Sequence, residues 1–117
     1  MTGRAGKASA LLQALGGGDV QPVLDAIDDS VVWRLPSLGL QARGRAAVAE
    51  QLQQAAGQVC ISRLVHVVEH GPFVVALYDV ESRLGGTVYQ GPGLTVLRYE
   101  DDKIVEASWY RADQVSR

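Results

Sequence analysis

Apolar positions recur at helical spacing in the first half of the chain and at alternating spacing in the second. Leu11, Leu12 and Leu15 share one helical face over residues 9–15, and Gly16-Gly17-Gly18 stops that helix. Asp19 is placed to cap a second short helix whose apolar face is Val23, Leu24 and Ile27. Asp28 and Asp29 close it as a solvated turn, because a helix C-terminus disfavours carboxylates. The run Val31-Val32-Trp33-Arg34-Leu35 predicts a strand ended by Pro36, with Val31, Trp33 and Leu35 on one face and Arg34 on the other. Residues 37–41 read as a loop, and Arg43-Gly44 leads into a helix over residues 45–56 with Val48, Leu52 and Ala55 as its buried stripe.

From Val59 onward the helical period disappears. Residues 59–70, 73–84, 87–99 and 103–112 predict four long strands separated by HGP, GG and EDDK turn signals. Gly91-Pro92-Gly93 interrupts the third, which predicts a bulge or bend that curves the sheet. Helices first and an antiparallel meander afterwards give an α+β fold, not a doubly wound sheet. The 117 residues are enough for one domain with a core of its own, and the small, polar, basic residues 1–7 read as a disordered tail.

Composition narrows the function classes. Apolar residues are 47% and charged residues 21% of the chain, an ordinary soluble mixture. A net charge of −2 with scattered basic residues offers no electrostatic case for nucleic acid. No segment approaches the ~20 apolar residues of a membrane span. The amino-terminal segment lacks the apolar core and cleavage site of a signal peptide, so the expected compartment is cytoplasmic. The single Cys60 has no partner for an internal disulfide and no activating base nearby in sequence.

Four stretches, LLQALGGGDVQPVLDAIDDSVVW, RGRAAVAEQL, GPFVVALYDV and LTVLRYEDDKIVEASWYRAD, stand in an order that resembles the SnoaL-like branch of the nuclear transport factor 2-like superfamily. The resemblance implies a cone: a curved antiparallel sheet wrapped around the N-terminal helices, with an apolar pocket inside. It also implies a homodimer. Members include ketosteroid isomerase, limonene epoxide hydrolase, polyketide cyclases, scytalone dehydratase and non-catalytic binding domains, and fold does not choose among them. The positions matching the isomerase's proton-handling groups are Leu35, Leu11 and Thr95, none of which can serve as its general base or acid. The epoxide hydrolase pattern is broken at Leu77 and Trp109, although Asp79 matches one carboxylate. His66 or His70 with Asp79 is the pair that a dehydratase or cyclase would use.

The register implied by the resemblance points Ala76, Tyr78 and Val80 inward, with Thr95, Leu97, Ala107, Trp109 and Arg111. The alternative register places Leu77, Asp79 and Glu81 inside, since a one-residue slip flips every side chain. The first keeps two carboxylates out of an apolar interior, where an unpaired charge is costly. The expected ligand-binding set is therefore Trp33, Leu35, Tyr78, Thr95, Leu97, Trp109 and Arg111. Tyr78 and Arg111 would orient a substrate while His66 or Asp79 carries the proton. Each also has a structural reading. The tryptophans fill core, Tyr78 bonds a backbone carbonyl, His66 is a strand histidine, and Arg111 pairs with Asp113 two residues on.

His66-x-x-x-His70 has helix spacing on a strand, so no metal site is expected, and no glycine-rich loop suits a nucleotide or other cofactor. The expected function is a small-molecule binding domain for a hydrophobic metabolite. Its enzymatic version is a cofactor-independent isomerase, cyclase, dehydratase or hydrolase. The alternative is a non-catalytic association or ligand-sequestering module that dimerises through the outer sheet face, where Val74, Leu94 and Val96 are the expected outward apolar residues.

Overall fold

The computed structural model describes residues 3–36, 39–83, 86 and 88–111. The elements run α1 (Arg4–Gly16), α2 (Gln21–Ala26), β1 (Ile27–Leu35), β2 (Leu40–Arg43), α3 (Arg45–Ala55), β3 (Val59–His70), β4 (Phe73–Ser82), β5 (Tyr89–Glu100) and β6 (Lys103–Arg111). Strands lie in the order β2-β1-β6-β5-β4-β3 in one curved sheet, and the helices pack on its inner face. The expected strand ends at 84, 87 and 112, part of the loop at 37–41 and the partner Asp113 lie outside the described residues.

The α+β expectation holds, with one correction: the sheet is mixed. The strands of the β3–β6 meander alternate in direction, but β1 runs parallel to β6. One edge of β1 is taken by its antiparallel hairpin partner β2, which leaves β6 to cover the other. Four further expectations at element boundaries are revised. Residues 40–43 form a strand, paired Arg34↔Gln41 and Trp33↔Ala42, rather than loop. Asp28 and Asp29 belong to β1, where the Asp28 carboxylate accepts bonds from the Ser30 backbone N–H (3.0 Å) and hydroxyl (2.6 Å). Val20 occupies the N-cap of α2, while Asp19 accepts from the Gln21 N–H at 3.2 Å, one residue outside the helix. Finally, α1 begins at Arg4, inside the expected tail. The Arg4 guanidinium donates to the carbonyls of Gly71 (3.3 Å) and Asp101 (2.9 Å), each in a β-turn, and lies over the Tyr99 ring.

The core follows from strand alternation. Val31 and Trp33 of β1 meet Leu97 and Tyr99 of β5 and Ile104 and Ala107 of β6, capped by Ala8 and Leu11 of α1, Val23 of α2, and Val48 and Leu52 of α3. Leu12 joins Ala76, Tyr78 and Val80 in a second cluster. Gly16 is needed where α1 ends, because a Cβ there would stand 2.9 Å from the backbone nitrogen of Ile61 in β3. That close approach brings the helix down onto the sheet.

Val74 is a correction. It has the parity of Ala76 and Tyr78 and is fully buried in the core, not outward. The Gly91-Pro92-Gly93 segment is another. The β4–β5 register runs unbroken through Asp79↔Pro92 and Tyr78↔Gly93, so there is no bulge at that point. Its glycines answer a packing need described below. Register shifts fall in the β3–β4, β5–β6 and β1–β6 pairings instead.

Candidate functional site

A cavity of about 420 Å³ opens between the C-terminal half of α3, the β1–β2 hairpin and the ends of β3, β4 and β6. This lies within the roughly 300–1,000 Å³ typical of small-molecule sites. The floor is apolar and buried: Trp33, Leu52, Tyr78 and Val80. Leu40, Gln54, Ala56 and Gln58 form an exposed rim.

Alternation along three strands builds the walls. Trp33 pairs with Ala107, and Thr95 with Trp109, so the small Ala107 leaves space for the two indoles to meet. Their ring centroids lie 5.1 Å apart at 37°, a tilted aromatic pair. Leu35, the last residue of β1, lines the same wall with an aliphatic side chain that can neither take nor give a proton.

The favoured β4 register is the observed one. Ala76, Tyr78 and Val80 face in, while Asp79 turns out and pairs with Arg63 of β3 at 3.1 Å. The Tyr78 hydroxyl makes a 2.5 Å hydrogen bond with the Thr95 hydroxyl, a side-chain partner where a backbone carbonyl or a ligand was expected. Burial pushes the Tyr78 phenol up to about 12, outweighing the opposing effect of the Thr95 hydrogen bond. Tyr78 therefore offers the cavity its ring and stays neutral. A Cβ on Gly93, directly across the ladder, would stand 2.5 Å from the Tyr78 ring. The second glycine of GPG thus clears the space in which Tyr78 lies.

Five of the seven expected ligand-binding residues come together at the cavity: Trp33, Leu35, Tyr78, Trp109 and Arg111. Thr95 is fully buried behind the Tyr78 hydroxyl. Leu97 faces a separate void of about 10 Å³ under α1, too small for more than about one water. Of the expected catalytic group, Tyr78 and Arg111 line the cavity, whereas His66 and Asp79 do not. His66 pairs with Leu77 on the outer face, where it is exposed, because a register shift between Leu64 and His66 changes the parity of β3. Among the described lining residues there is no carboxylate and no imidazole, and Arg111 is the one formal charge.

Sequence reasoning missed Gln51, Gln54 and Gln58, which line the cavity. Gln51 and Gln54, at i and i+3 beside Leu52 and Ala55, carried the signal: one side of α3 is amide-rich where a surface helix would carry charges, and Gln58 follows just beyond the helix end. Gln51 Oε1 and Trp109 Nε1 are buried and have no hydrogen-bond partner among the described residues, and both residues belong to the cavity wall. Such atoms are uncommon in a folded interior.

The profile of the SnoaL-like domain family matches residues 8–107. The chain belongs to that family. Solved structures agree. A cystatin-like-fold protein of unknown function from Xanthomonas campestris is 28% identical, with a TM-score of 0.80 over 93% of this chain and 90% of that one. A putative polyketide cyclase from Xanthomonas campestris pv. campestris is 26% identical, with a TM-score of 0.77 over 97% and 93%. An LEH-like epoxide hydrolase from M. tuberculosis shares the fold at 22% identity, with a TM-score of 0.72 over 89% and 78%. No curated protein matches the sequence. Among the described residues of this SnoaL-like domain, no helix is long and apolar enough to cross a membrane.

Proposed function

We propose that this SnoaL-like domain binds a small hydrophobic, ring-bearing molecule in the cavity between α3 and the sheet. The observation that carries the reading is the cavity itself: about 420 Å³, apolar at its floor and walled by both tryptophans of the chain. Flat apolar ligands gain most from such walls, since indole faces offer large contact area with preferred stacking geometries. The putative polyketide cyclase among the similar structures makes polyketide-like rings the first compounds to test.

Binding is favoured over acid–base catalysis. General acid–base chemistry needs a titrating group within hydrogen-bond reach of the reacting proton. His66 and Asp79 face away, and Tyr78 is held neutral by burial. Since both tryptophans line the site, intrinsic fluorescence reports occupancy directly. A panel of ring compounds should include members that quench or shift this emission saturably. The same members should raise the melting temperature, as any ligand that binds only the folded state must. A panel spanning fused-ring, monocyclic and open-chain compounds that moves neither signal would refute the reading.

A second copy of the chain is the partner we propose for the outer face. Val68, Val75 and Val96 form one apolar cross-strand row there, and Leu77 and Leu94 a second. Val68 (44%), Phe73 (40%) and Leu77 (41%) are exposed, more apolar surface than a solvated sheet face requires. Light scattering at micromolar concentration should give twice the chain mass, and Leu77→Lys should return it to one. A strict monomer would remove this reading without touching the first.

A further inference from the structure

Two atoms of the cavity wall lack the partners that burial demands. Gln51 Oε1 and the Trp109 indole Nε1 are buried and bond nothing among the described residues. Other polar groups of the same wall are partnered. The Tyr78 hydroxyl bonds Thr95, and Gln58 Nε2 donates to the Gln54 carbonyl at 3.2 Å. An orphaned polar atom keeps its full desolvation cost, so both weaken the empty fold.

The two atoms are of opposite kinds. An indole N–H only donates, and an amide oxygen only accepts. Trp109 is held in place, because its ring packs against both core clusters and lies 5.1 Å from the Trp33 ring. The void of about 10 Å³ that also borders Trp109 is lined by apolar atoms only, so no partner stands there. What remains is the larger cavity, which both residues line. Gln51 stands beside Leu52 of the floor, and its terminal amide turns about a soft, roughly two-fold torsion. That freedom lets the amide meet an incoming group without moving α3.

We propose that Trp109 and Gln51 are the specificity-determining residues of this cavity: the Trp109 N–H takes an acceptor such as a ring ketone, and Gln51 Oε1 takes a hydroxyl on the same ligand. This selection rests on the binding reading above and adds the ligand's hydrogen-bonding groups. The indole faces choose a ligand by shape, and the two orphaned atoms fix which of its edges carry oxygen. A few placed polar groups in an otherwise apolar pocket commonly set orientation in this way.

Two matched pairs of probes separate the two groups: 1-tetralone against tetralin for the acceptor, and 2-naphthol against naphthalene for the donor. Equilibrium dialysis with the full chain gives an affinity ratio for each pair. Trp109→Phe should lower the tetralone ratio about fivefold, the size of one hydrogen bond, and leave the naphthol ratio unchanged. Gln51→Leu should do the reverse. In the wild type, 1-tetralone should move the Trp109 indole proton resonance downfield, and tetralin should not. Far-ultraviolet circular dichroism checks folding. Gln51→Met replaces Gln51→Leu if that variant fails to fold, and the indole resonance decides for Trp109 if Trp109→Phe does. Ratios that stay put, or that fall together in both variants, would overturn the inference and leave the binding reading intact. An indole proton that tetralone does not move would overturn the Trp109 assignment. Failure of all four probes to bind would overturn the inference together with the reading beneath it.

Discussion

Gly93→Ala is the sharpest single perturbation of this fold. The new methyl carbon would stand 2.5 Å from Tyr78 Cε1, 3.2 Å from Cδ1 and 3.1 Å from Val80 Cγ1, all in the buried cavity floor. Real Cβ atoms do not approach others so closely, so the Tyr78 ring must move. Overpacking of this kind costs about 1–3 kcal/mol. Moving the ring also disturbs the 2.5 Å Tyr78–Thr95 hydrogen bond, buried on both sides. A compromised buried bond adds about 1 kcal/mol, for a total near 2–4 kcal/mol. Alanine's lower backbone entropy in a strand works the other way by about 0.5–1 kcal/mol. Urea denaturation gives the free energy, and a melting scan should show a fall of roughly 8–15 °C for a domain of this size. The decisive comparison is a double-mutant cycle: in the Tyr78→Leu background the ring atoms are gone, and Gly93→Ala should cost under about 1 kcal/mol. If Gly93→Ala costs less than about 0.5 kcal/mol in the wild type, or equally in both backgrounds, the account of the glycine is wrong.

Tyr78→Phe strands the Thr95 hydroxyl and should cost about 1–3 kcal/mol, while Tyr78→Phe combined with Thr95→Val should recover most of that loss. Because burial raises the Tyr78 phenol to about 12, its contribution is full below about pH 10 and is lost as pH rises toward 12; the alkaline limb of a stability–pH curve should flatten in Tyr78→Phe. On the outer face, hydrogen bonds from Arg34 and then Arg98 hold the Glu106 carboxyl below its usual range. That stabilisation is present above the ordinary glutamate pKa of about 4.3 and is lost as pH falls through the lowered folded value. The stability gap between wild type and Glu106→Gln, followed by urea melts from pH 7 to 3, should shrink below that point. His66→Ala and Asp79→Asn should leave ligand affinity within about twofold, because both face away from the cavity. A tenfold loss in either would relocate the site.

The walls of the site were legible because alternation is a local property. Val31, Trp33 and Leu35 share a face by parity alone, and the β4 register followed from the cost of burying Asp79 and Glu81. The same parity places Val74 with Ala76 and Tyr78, so its burial follows from the inward face of β4 and not from the outer one. Other features rest on partners remote in sequence. The α1 start depends on carbonyls 67 and 97 residues beyond Arg4. The β2 strand LQAR has no β-branched residue and is defined by its ladder with β1. The GPG segment reads locally as a strand breaker. Its role emerges only when the Tyr78 ring is placed across it. His66 is the converse case, since a bulge between Leu64 and His66 breaks the parity on which a sequence argument relies.

The separation between an uncharged interior and a charged exterior also bears on catalysis. A small rotamer change cannot bring Asp79 into the cavity, because the strand itself sets its face. Shifting β4 by one residue would carry Asp79 inward, but Val74, Ala76, Tyr78 and Val80 would turn outward with it. Exposing a large apolar side chain costs about 1.5–3 kcal/mol, so Val74, Tyr78 and Val80 together approach the whole stability of about 5–15 kcal/mol expected of a domain. The slip also forfeits the Tyr78–Thr95 hydrogen bond and buries the charge of Glu81. The cavity therefore keeps its chemistry through local motion: aromatic faces, neutral amides and Arg111. On the binding reading proposed above, that set selects a ligand by shape, and neither His66 nor Asp79 is placed to move a proton inside the cavity.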